Sequence, residues 1–148
     1  MKEGRIISIN ISSKKGTKKQ PVNGPWEVIK ECGLKDDAHC GPWHRQVSLL
    51  ALESIEQMKK CGLKVCPGDF GENLTISGIN LVSLPIGTKI YVGKEVLLQV
   101  SQIGKECHTR CAIYYQAGDC IMPREGIFAE VIKGGIVQVG DKIQIRKT

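Results

Sequence analysis

Hydrophobic and polar positions alternate with a period of two over several short stretches of the chain. In residues 4–11, isoleucines alternate with polar or smaller residues, a pattern that is typical of a half-buried β-strand. Residues 47–52 form a more continuously apolar run, which indicates a buried strand. The same reasoning predicts later strands at residues 81–84, 89–92, 96–103, 126–132 and 142–146.

One segment has helical periodicity instead. In residues 53–61, Ile55 and Met58 fall on one face of a helix, three positions apart. Glu56 and Lys60 are spaced i,i+4 on the same predicted helix, so we expect an ion pair between them. This helix should therefore lie against the strands with one apolar face.

Turn signals and short strands together predict the fold class. Residues 27–32 are expected to form a second, shorter helix that ends at Gly33. Many short strands, glycine-rich turns and few helices favour a mainly β protein, a β-barrel with a few short peripheral helices, over an alternating βαβ fold. With 148 residues and no internal repeat or linker, the chain is expected to be a single domain, residues 1–148.

The charge of the chain favours an anionic partner. Lysine and arginine total 21 against 15 acidic residues, a formal net charge of +6. Part of the excess lies in the polar loop that carries Lys14, Lys15, Lys18 and Lys19, which could equally be a solvated turn. Aromatic residues are only 5% of the chain and do not interleave with basic ones, so a phosphate-bearing small molecule fits better than nucleic acid.

Hydropathy and cysteine content predict the compartment. No apolar run reaches membrane-spanning length, and the N-terminal residues are too polar for a signal peptide. A cytoplasmic protein without a membrane partner is therefore expected. Seven cysteines, an odd number without a secretory signal, favour reduced thiols over a disulfide framework.

Residues 103–126 hold the densest group of reactive side chains. The group consists of Cys107, His108, Arg110, Cys111, Cys120 and Arg124. A thiolate is a nucleophile and a soft metal ligand, and a neighbouring cation lowers the pKa of a thiol. Arg110 beside Cys111 therefore indicates a cysteine that is kept ionised. The alternative is that these cysteines are small buried hydrophobic residues, as free cysteines often are.

Two other polar segments carry candidate residues. Residues 34–47 are expected to form a loop, because Gly41 and Pro42 interrupt any regular helix. The side chains of that loop that could bind a metal are Asp36, Asp37, His39, Cys40 and His44. Their spacing is not that of a zinc finger, and a loop whose polar groups cap each other is an equal alternative. In residues 68–76, a tight glycine turn precedes a strand and positions Glu72 and Asn73.

These motifs together resemble the MOSC family, the domains named after the C-terminal part of molybdenum-cofactor sulfurase. The resemblance runs from about Arg5 to Ile145, with the motifs in the expected order. The residues that carry it are Gly33–His39, His44–Val47, Gly71–Leu74, Arg110–Cys111 and Arg124–Gly126. It implies a β-barrel core similar to the pyruvate-kinase barrel, with peripheral helices.

The resemblance also implies a cofactor and a reactive cysteine. Family members are tied to the molybdenum cofactor, a phosphate-bearing pyranopterin dithiolene, and the family is associated with pyridoxal phosphate as well. Some members are thought to transfer sulfur, and others hold the cofactor while it reduces N-hydroxylated compounds. The functional cysteine of the family follows the long central strand and often follows arginine. That pattern fits Cys111, as a molybdenum ligand or a persulfide carrier, with Cys107 and Cys120 as competitors.

The remaining candidates are assigned around that cysteine. Arg110 and His108 would stabilise the thiolate, while Cys107 or Cys120 could resolve a persulfide on Cys111. Alternatively, the three cysteines could bind adventitious zinc together with His108. The residues that would bind the cofactor are Lys15, Lys18, His39, His44, Arg45, Glu72, Asn73 and Arg124. The expected partners are a cysteine desulfurase or a molybdoenzyme, because we expect no separate N-terminal module and no aminotransferase-like half. The alternative is a non-enzymatic interaction or zinc-binding module with structural cysteines.

Overall fold

A computed structural model describes residues 2–15, 17–104 and 125–146. The first half of the chain contains β1 (Lys2–Ile11), β2 (Gln20–Pro21), β3 (Trp26–Ile29), β4 (Gly33–Leu34), β5 (Val47–Ala51) and α1 (Leu52–Lys60). The described part of the second half contains β6 (Leu74–Ser77), a 3-10 turn (Leu81–Ser83), β7 (Lys89–Val92), β8 (Val96–Ile103), β9 (Ile127–Lys133), β10 (Gly135–Val137) and β11 (Lys142–Arg146). The predicted mainly β fold class is confirmed.

Seven of these strands form a closed barrel. The strands follow the order β11, β7, β8, β9, β5, β6 and β1, and β1 pairs with β11 to close the ring. The β5–β6 pair is parallel, and the other six neighbouring pairs are antiparallel. Closure pairs both edges of the sheet with each other. One face of every strand then points into the barrel and the other points to its outer surface.

The barrel interior holds the main hydrophobic core. On β9, Ile127, Ala129 and Val131 are buried in this core, whereas Phe128 belongs to a separate apolar cluster. The alternation follows from the two-residue period of a strand, which directs neighbouring side chains to opposite faces. The strand positions predicted from alternation in residues 89–92, 96–103 and 142–146 are confirmed.

Helix α1 covers the outer face of the barrel. Its buried residues, Ile55 and Met58, pack with Phe128 in the second apolar cluster. The shared apolar face predicted for the helix is therefore confirmed. The expected ion pair between Glu56 and Lys60 is replaced by one between Glu56 and Lys59, at 3.8 Å. This pair is exposed and contributes little to stability.

Two predicted elements are wrong. The helix predicted for residues 27–32 is instead β3, which pairs with β4 and β10 in a three-stranded sheet. Val28 on this strand is buried while Glu27 is exposed, so the period is two rather than 3.6. The strand predicted for residues 81–84 is a 3-10 turn, because Leu81 and Leu84 are buried at i,i+3 spacing.

Candidate functional site

The cysteine-rich segment is a long connection between two neighbouring barrel strands. It leaves the end of β8 and returns at the start of β9, where Ile103 pairs with Ile127. The N–H of Gly104 donates to the carbonyl of Gly126 at 2.7 Å and closes the base of the segment. The candidates Cys107, His108, Arg110, Cys111, Cys120 and Arg124 lie outside the described residues, so their roles stay predictions.

The second anchor of the segment is on helix α1. The hydroxyl of Ser54 donates to Oε1 of Glu125 at 2.9 Å, directly where the chain re-enters the described part. A cavity of about 340 Å³ lies beside this contact and is lined in part by Glu53, Asn80 and Leu81. The barrel and α1 therefore both fix the position at which the segment returns.

Two predicted cofactor-binding residues lie at the root of this segment. His44 Nε2 is 2.9 Å from Oε1 of Gln102, and Arg45 Nε donates to the same oxygen at 3.1 Å. The Gln102 amide nitrogen donates to the carbonyl of Gly104 at 2.6 Å, which fixes the orientation of the amide. His44 is therefore the donor in its contact, because the Gln102 oxygen can only accept. A single glutamine thus joins His44 and Arg45 to the start of the cysteine segment.

The Arg45 guanidinium is also held by packing. It lies over the ring of Phe128, with Cζ 5.3 Å from the ring centroid, on the outer face of the barrel. The hydroxyl of Ser101 donates to the His44 carbonyl and ties the same loop to β8. Arg45 is partly exposed and His44 exposed, so a ligand can reach both side chains.

A second group of predicted residues surrounds Trp43. The His39 ring stacks on the Trp43 ring with 5.9 Å between centroids, and the Trp43 indole N–H donates to the His39 carbonyl at 2.7 Å. The ammonium of Lys15 lies 4.0 Å from the centroid of the Trp43 ring. Lys18 lies in the same loop and is partly exposed. The basic loop and the histidine loop are therefore adjacent, and the cofactor contacts predicted for their side chains stay predictions.

A buried ion pair lies next to His39. Lys19 Nζ is 2.8 Å from Oδ1 of Asp37, and the two side chains are 1% and 0% exposed. Lys19 Nζ also lies 3.1 Å from the Ser12 hydroxyl and 3.0 Å from Nδ1 of His39. Sequence reasoning missed Lys19, because four lysines share one polar stretch and the pattern does not show which of them turns inward.

The Asp37 carboxylate receives donors on both oxygens. The backbone N–H of Ser12 donates to Oδ1 and that of His39 to Oδ2, each at 3.0 Å. Burial alone would raise the pKa of Asp37, but hydrogen bonding to His39 and the charge of Lys19 hold it well below its ordinary value. Asp37 is therefore an ionised structural anion under all ordinary conditions.

Asn73, directly before β6, joins β5 and β1 through its side chain. Its side-chain oxygen accepts from the N–H of Ser48 on β5 at 3.0 Å, and its amide nitrogen donates to the carbonyl of Asn10 on β1 at 3.2 Å. The side chain is fully buried. The structure therefore assigns Asn73 to strand pairing, and the pterin contact predicted for it has no support among the described residues.

Glu72 is likewise buried, with 0% of the residue exposed. Its Oε2 accepts from the N–H of Gly68 at 3.0 Å and from the Thr75 hydroxyl at 2.5 Å. Its Oε1 is buried without a hydrogen-bond partner in the described structure. Burial raises the pKa of this carboxyl, although the hydrogen bonds partly oppose the shift. The predicted pterin contact of Glu72 is not supported either.

The described cysteines differ from the expectation of reduced thiols. Cys32 and Cys40 form a disulfide, with their Cα atoms 4.5 Å apart, while Cys61 and Cys66 are free and exposed. The bond closes the loop that carries Asp37 and His39. The number of cysteines does not show which of them pair. Cys32 and Cys40 come together only in the fold, where the Gly41 N–H donates to the Cys32 carbonyl.

The metal site considered for residues 34–47 is not supported. Within the described ranges, no group of three or more His, Cys, Asp or Glu side chains has an arrangement that could hold a metal ion. Asp37 instead pairs with Lys19, and Cys40 is in the disulfide. The alternative in which the polar groups of the loop cap each other is the one observed.

No helix in the described part of the chain is long and apolar enough to cross a membrane.

Comparisons with known proteins identify the family of the chain and support its fold. A family model described as the MOSC domain matches residues 36–144, which is more than half of the chain. The YuaD protein from Bacillus subtilis superposes with a TM-score of 0.80 at 19% identity, covering 99% of this chain and 97% of that one. A comparison with curated proteins found no match.

Two further solved structures share the fold. YiiM from Geobacillus stearothermophilus has a TM-score of 0.74 and 21% identity, over 97% of this chain and 75% of that one. YiiM from Escherichia coli has a TM-score of 0.67 and 23% identity, over 100% of this chain and 71% of that one. At these identities the likeness supports the fold alone.

Proposed function

Because the chain belongs to the MOSC family of molybdenum-cofactor-related domains, we propose that it is a single-domain protein that binds the molybdenum cofactor. In this proposal the Cys111 thiolate either carries sulfur as a persulfide or ligates molybdenum. The observation that carries the proposal is the contact of His44 and Arg45 with Gln102, at the root of the cysteine segment. It brings Arg45 and His44 close to Gly104, after which the segment with the candidate cysteines begins.

The donor set fits the phosphate of such a cofactor. Arg45 uses only Nε in its hydrogen bonds within the described part of the chain, which leaves both Nη groups available. A guanidinium matches two phosphate oxygens at once, whereas an ammonium acts as a point charge. Lys15 adds a second positive charge in contact with the same loop, because its ammonium lies over the ring of Trp43, two residues before Arg45. These residues would hold the phosphate and orient the ligand toward the cysteine segment.

The proposed sulfur chemistry needs an accessible thiolate. In a relay, the Cys111 thiolate attacks the outer sulfur of a persulfide on a donor protein, a new sulfur–sulfur bond forms, and the donor leaves as its own thiolate. Arg110 would keep Cys111 ionised by stabilising its negative charge. When bound, the cofactor would supply dithiolene sulfurs and a redox-active metal. A soft thiolate is a suitable ligand for that metal.

The proposed sulfur chemistry requires partner proteins. A cytoplasmic cysteine desulfurase would donate the sulfur, or a molybdoenzyme would receive the sulfur or the cofactor. In the enzymatic form of this proposal, the same site would reduce N-hydroxylated compounds. A relay and a reductase both place the reaction at Cys111, with Cys107 and Cys120 available to resolve a persulfide as a disulfide.

The test is to purify the protein from cofactor-producing cells and to measure molybdenum, released pterin and sulfane sulfur in the same sample. We expect pterin or sulfane sulfur in the wild type and at least a tenfold loss in Cys111→Ala. Cys61→Ala is the matched control, because Cys61 is free and exposed at the end of α1. Retention of both by Cys111→Ala would contradict the proposal, and zinc without pterin would favour a structural metal module.

A further inference from the structure

Strand β8 contains a bulge directly before Gln102. Val100 pairs with Ala129 of β9, and the next pair along the two strands joins Gln102 to Phe128, so Ser101 is an extra residue on β8. Val100 and Ala129 lie in the barrel core, whereas Phe128 lies in the apolar cluster on the outer face. Paired residues share one face of a sheet. The bulge therefore turns Gln102 to the outer face, although regular alternation from Val100 would point it into the barrel.

The two residues at the bulge both contact His44. The Ser101 hydroxyl donates to the His44 carbonyl, and Oε1 of Gln102 lies 2.9 Å from Nε2 of the His44 ring. The orientation of the Gln102 amide is fixed, because its nitrogen donates to the Gly104 carbonyl at 2.6 Å and its oxygen accepts from Nε of Arg45 at 3.1 Å. Nε2 of His44 must therefore carry a proton.

The second ring nitrogen of His44 is then defined as well. A neutral imidazole has one proton, so a ring that is protonated on Nε2 has an acceptor at Nδ1. Among the described residues, Nδ1 of His44 has no hydrogen-bond partner. The side chain is exposed, and the Trp43 ring packs against it edge to face, with 5.9 Å between centroids. A ligand group that binds to Nδ1 has to bring the hydrogen.

We propose that Gln102 is a positioning residue, which holds the neutral His44 ring with its proton on Nε2 and so makes Nδ1 an acceptor for an N–H group of the bound cofactor. The ligand side of this statement rests on the proposed function, in which His44 contacts the cofactor. A pterin carries ring N–H and amino groups, whereas a phosphate carries mainly acceptor oxygens. His44 therefore selects the pterin part of the cofactor, and the neighbouring Arg45 selects its phosphate.

The direct test is nitrogen NMR of the wild-type imidazoles at pH 8, where an ordinary imidazole is neutral. His44→Gln identifies the His44 signals by their loss. We expect a protonated shift at Nε2 and an unprotonated shift at Nδ1. A ring protonated on Nδ1, or on both nitrogens, overturns the proposal. This measurement needs no cofactor, so its result does not depend on the proposed function.

Gln102→Met tests whether Gln102 sets this state. Gln99→Met is the matched control, because Gln99 lies on the same strand and its amide donates to the Gly87 carbonyl instead. Without the Gln102 oxygen, exchange between the two tautomers should bring the nitrogen shifts of His44 closer together. Gln99→Met should keep the wild-type shifts. A folded Gln102→Met with wild-type shifts overturns the proposal.

His44→Gln tests the ligand side. The glutamine amide can still donate to Gln102 from the position of Nε2, but it has no atom at the position of Nδ1. The ligand N–H would lose its acceptor, so protein purified from cofactor-producing cells should contain at least about tenfold less pterin in His44→Gln than in Gln99→Met. Equal pterin in these two variants overturns the ligand side of the proposal, whereas absence of pterin from the wild type overturns the proposed function and leaves the tautomer to the NMR result.

Discussion

The ammonium nitrogen of Lys19 lies 2.8 Å from Oδ1 of Asp37, and neither side chain is more than 1% exposed. A buried charge is costly without its partner, so removal of one member of such a pair typically destabilises a protein by about 3–5 kcal/mol. The pair also connects the basic loop to the loop that carries His39. It is therefore a structural support of the candidate site.

We expect Lys19→Met to lower the free energy of unfolding by about 3–5 kcal/mol, because it leaves the Asp37 carboxylate buried and unpaired. Lys18→Met, at a partly exposed neighbour, should change it by less than about 0.5 kcal/mol. Urea unfolding at pH 7 measures both. In the Lys19→Met/Asp37→Asn double variant the loss should be smaller than the sum of the single losses, and additive losses would show that the two side chains are not coupled.

The stability of the protein should depend on pH through Asp37. Burial acts to raise the pKa of this carboxyl, but contacts with His39 and Lys19 hold it below its ordinary value. A carboxyl whose pKa is lowered by folding stabilises the protein above its unfolded pKa, about 3.9, and loses this effect as the pH falls. The free energy of unfolding should therefore fall more steeply between about pH 5 and 2 in the wild type than in Asp37→Asn.

Asp36→Asn is the matched control for this experiment, because Asp36 is exposed beside Asp37. Its unfolding free energy should follow the wild-type slope in the same series of urea titrations. Equal slopes for wild type and Asp37→Asn would show that the buried pair does not determine acid stability.

Glu72 should have the opposite dependence. Burial raises the pKa of this carboxyl, so the folded state binds its proton more tightly than the unfolded state does. The cost of ionising it is absent below its ordinary value of 4.5 and grows as the pH rises. Glu72→Gln keeps an oxygen for the N–H of Gly68 and the hydroxyl of Thr75, so it should match the wild type near pH 4 and exceed its stability near pH 8.

Thermal or urea unfolding at the two pH values measures this difference, with the exposed Glu56→Gln as control. A difference between Glu72→Gln and wild type that does not change with pH would mean that folding does not shift the pKa of Glu72. The unpartnered Oε1 of Glu72 would then require another explanation.

The disulfide between Cys32 and Cys40 should contribute to stability. It closes a short loop, with a sequence separation of 8, for which the loss of chain entropy in the unfolded state predicts about 2–3 kcal/mol. We expect Cys32→Ser to lower the unfolding free energy by this amount and Cys61→Ser to leave it nearly unchanged. Peptide mapping without reductant should recover the Cys32 and Cys40 peptides linked, and separate peptides would contradict the assignment.

The sequence predicted the barrel better than the site. Alternation marks the strands because one face of each barrel strand is apolar, and the apolar face of α1 follows from Ile55 and Met58. Residues 27–32 were wrongly predicted as a helix because Val28 pairs with a distant strand, β10, whose contribution no local pattern shows. Sheet partners of this kind are decided by the tertiary fold.

The sequence did not show which candidate side chains are buried. Glu72 and Asn73 occupy a turn with the composition of a ligand loop, yet their side chains bond to neighbouring strands. Lys19 has the same sequence surroundings as Lys18, and only the fold turns it toward Asp37. Gln102 is uncharged, so its residue type does not suggest a role in the site. Its position directly before the cysteine segment does. His44 and Arg45 contact Gln102, and their role in a shared site with that segment stays a prediction.

The central claim is that Arg45 and the cysteine segment form one cofactor site. The most direct test is the amount of pterin released per chain from protein purified from cofactor-producing cells, compared among wild type, Arg45→Ala and Arg5→Ala. Arg5 is an exposed arginine on β1 and serves as the control. Loss of a guanidinium–phosphate contact worth about 1.4 kcal/mol or more lowers affinity at least tenfold. We therefore predict that Arg45→Ala releases less than about a tenth of the wild-type pterin and that Arg5→Ala matches the wild type; equal pterin in all three proteins would contradict the claim.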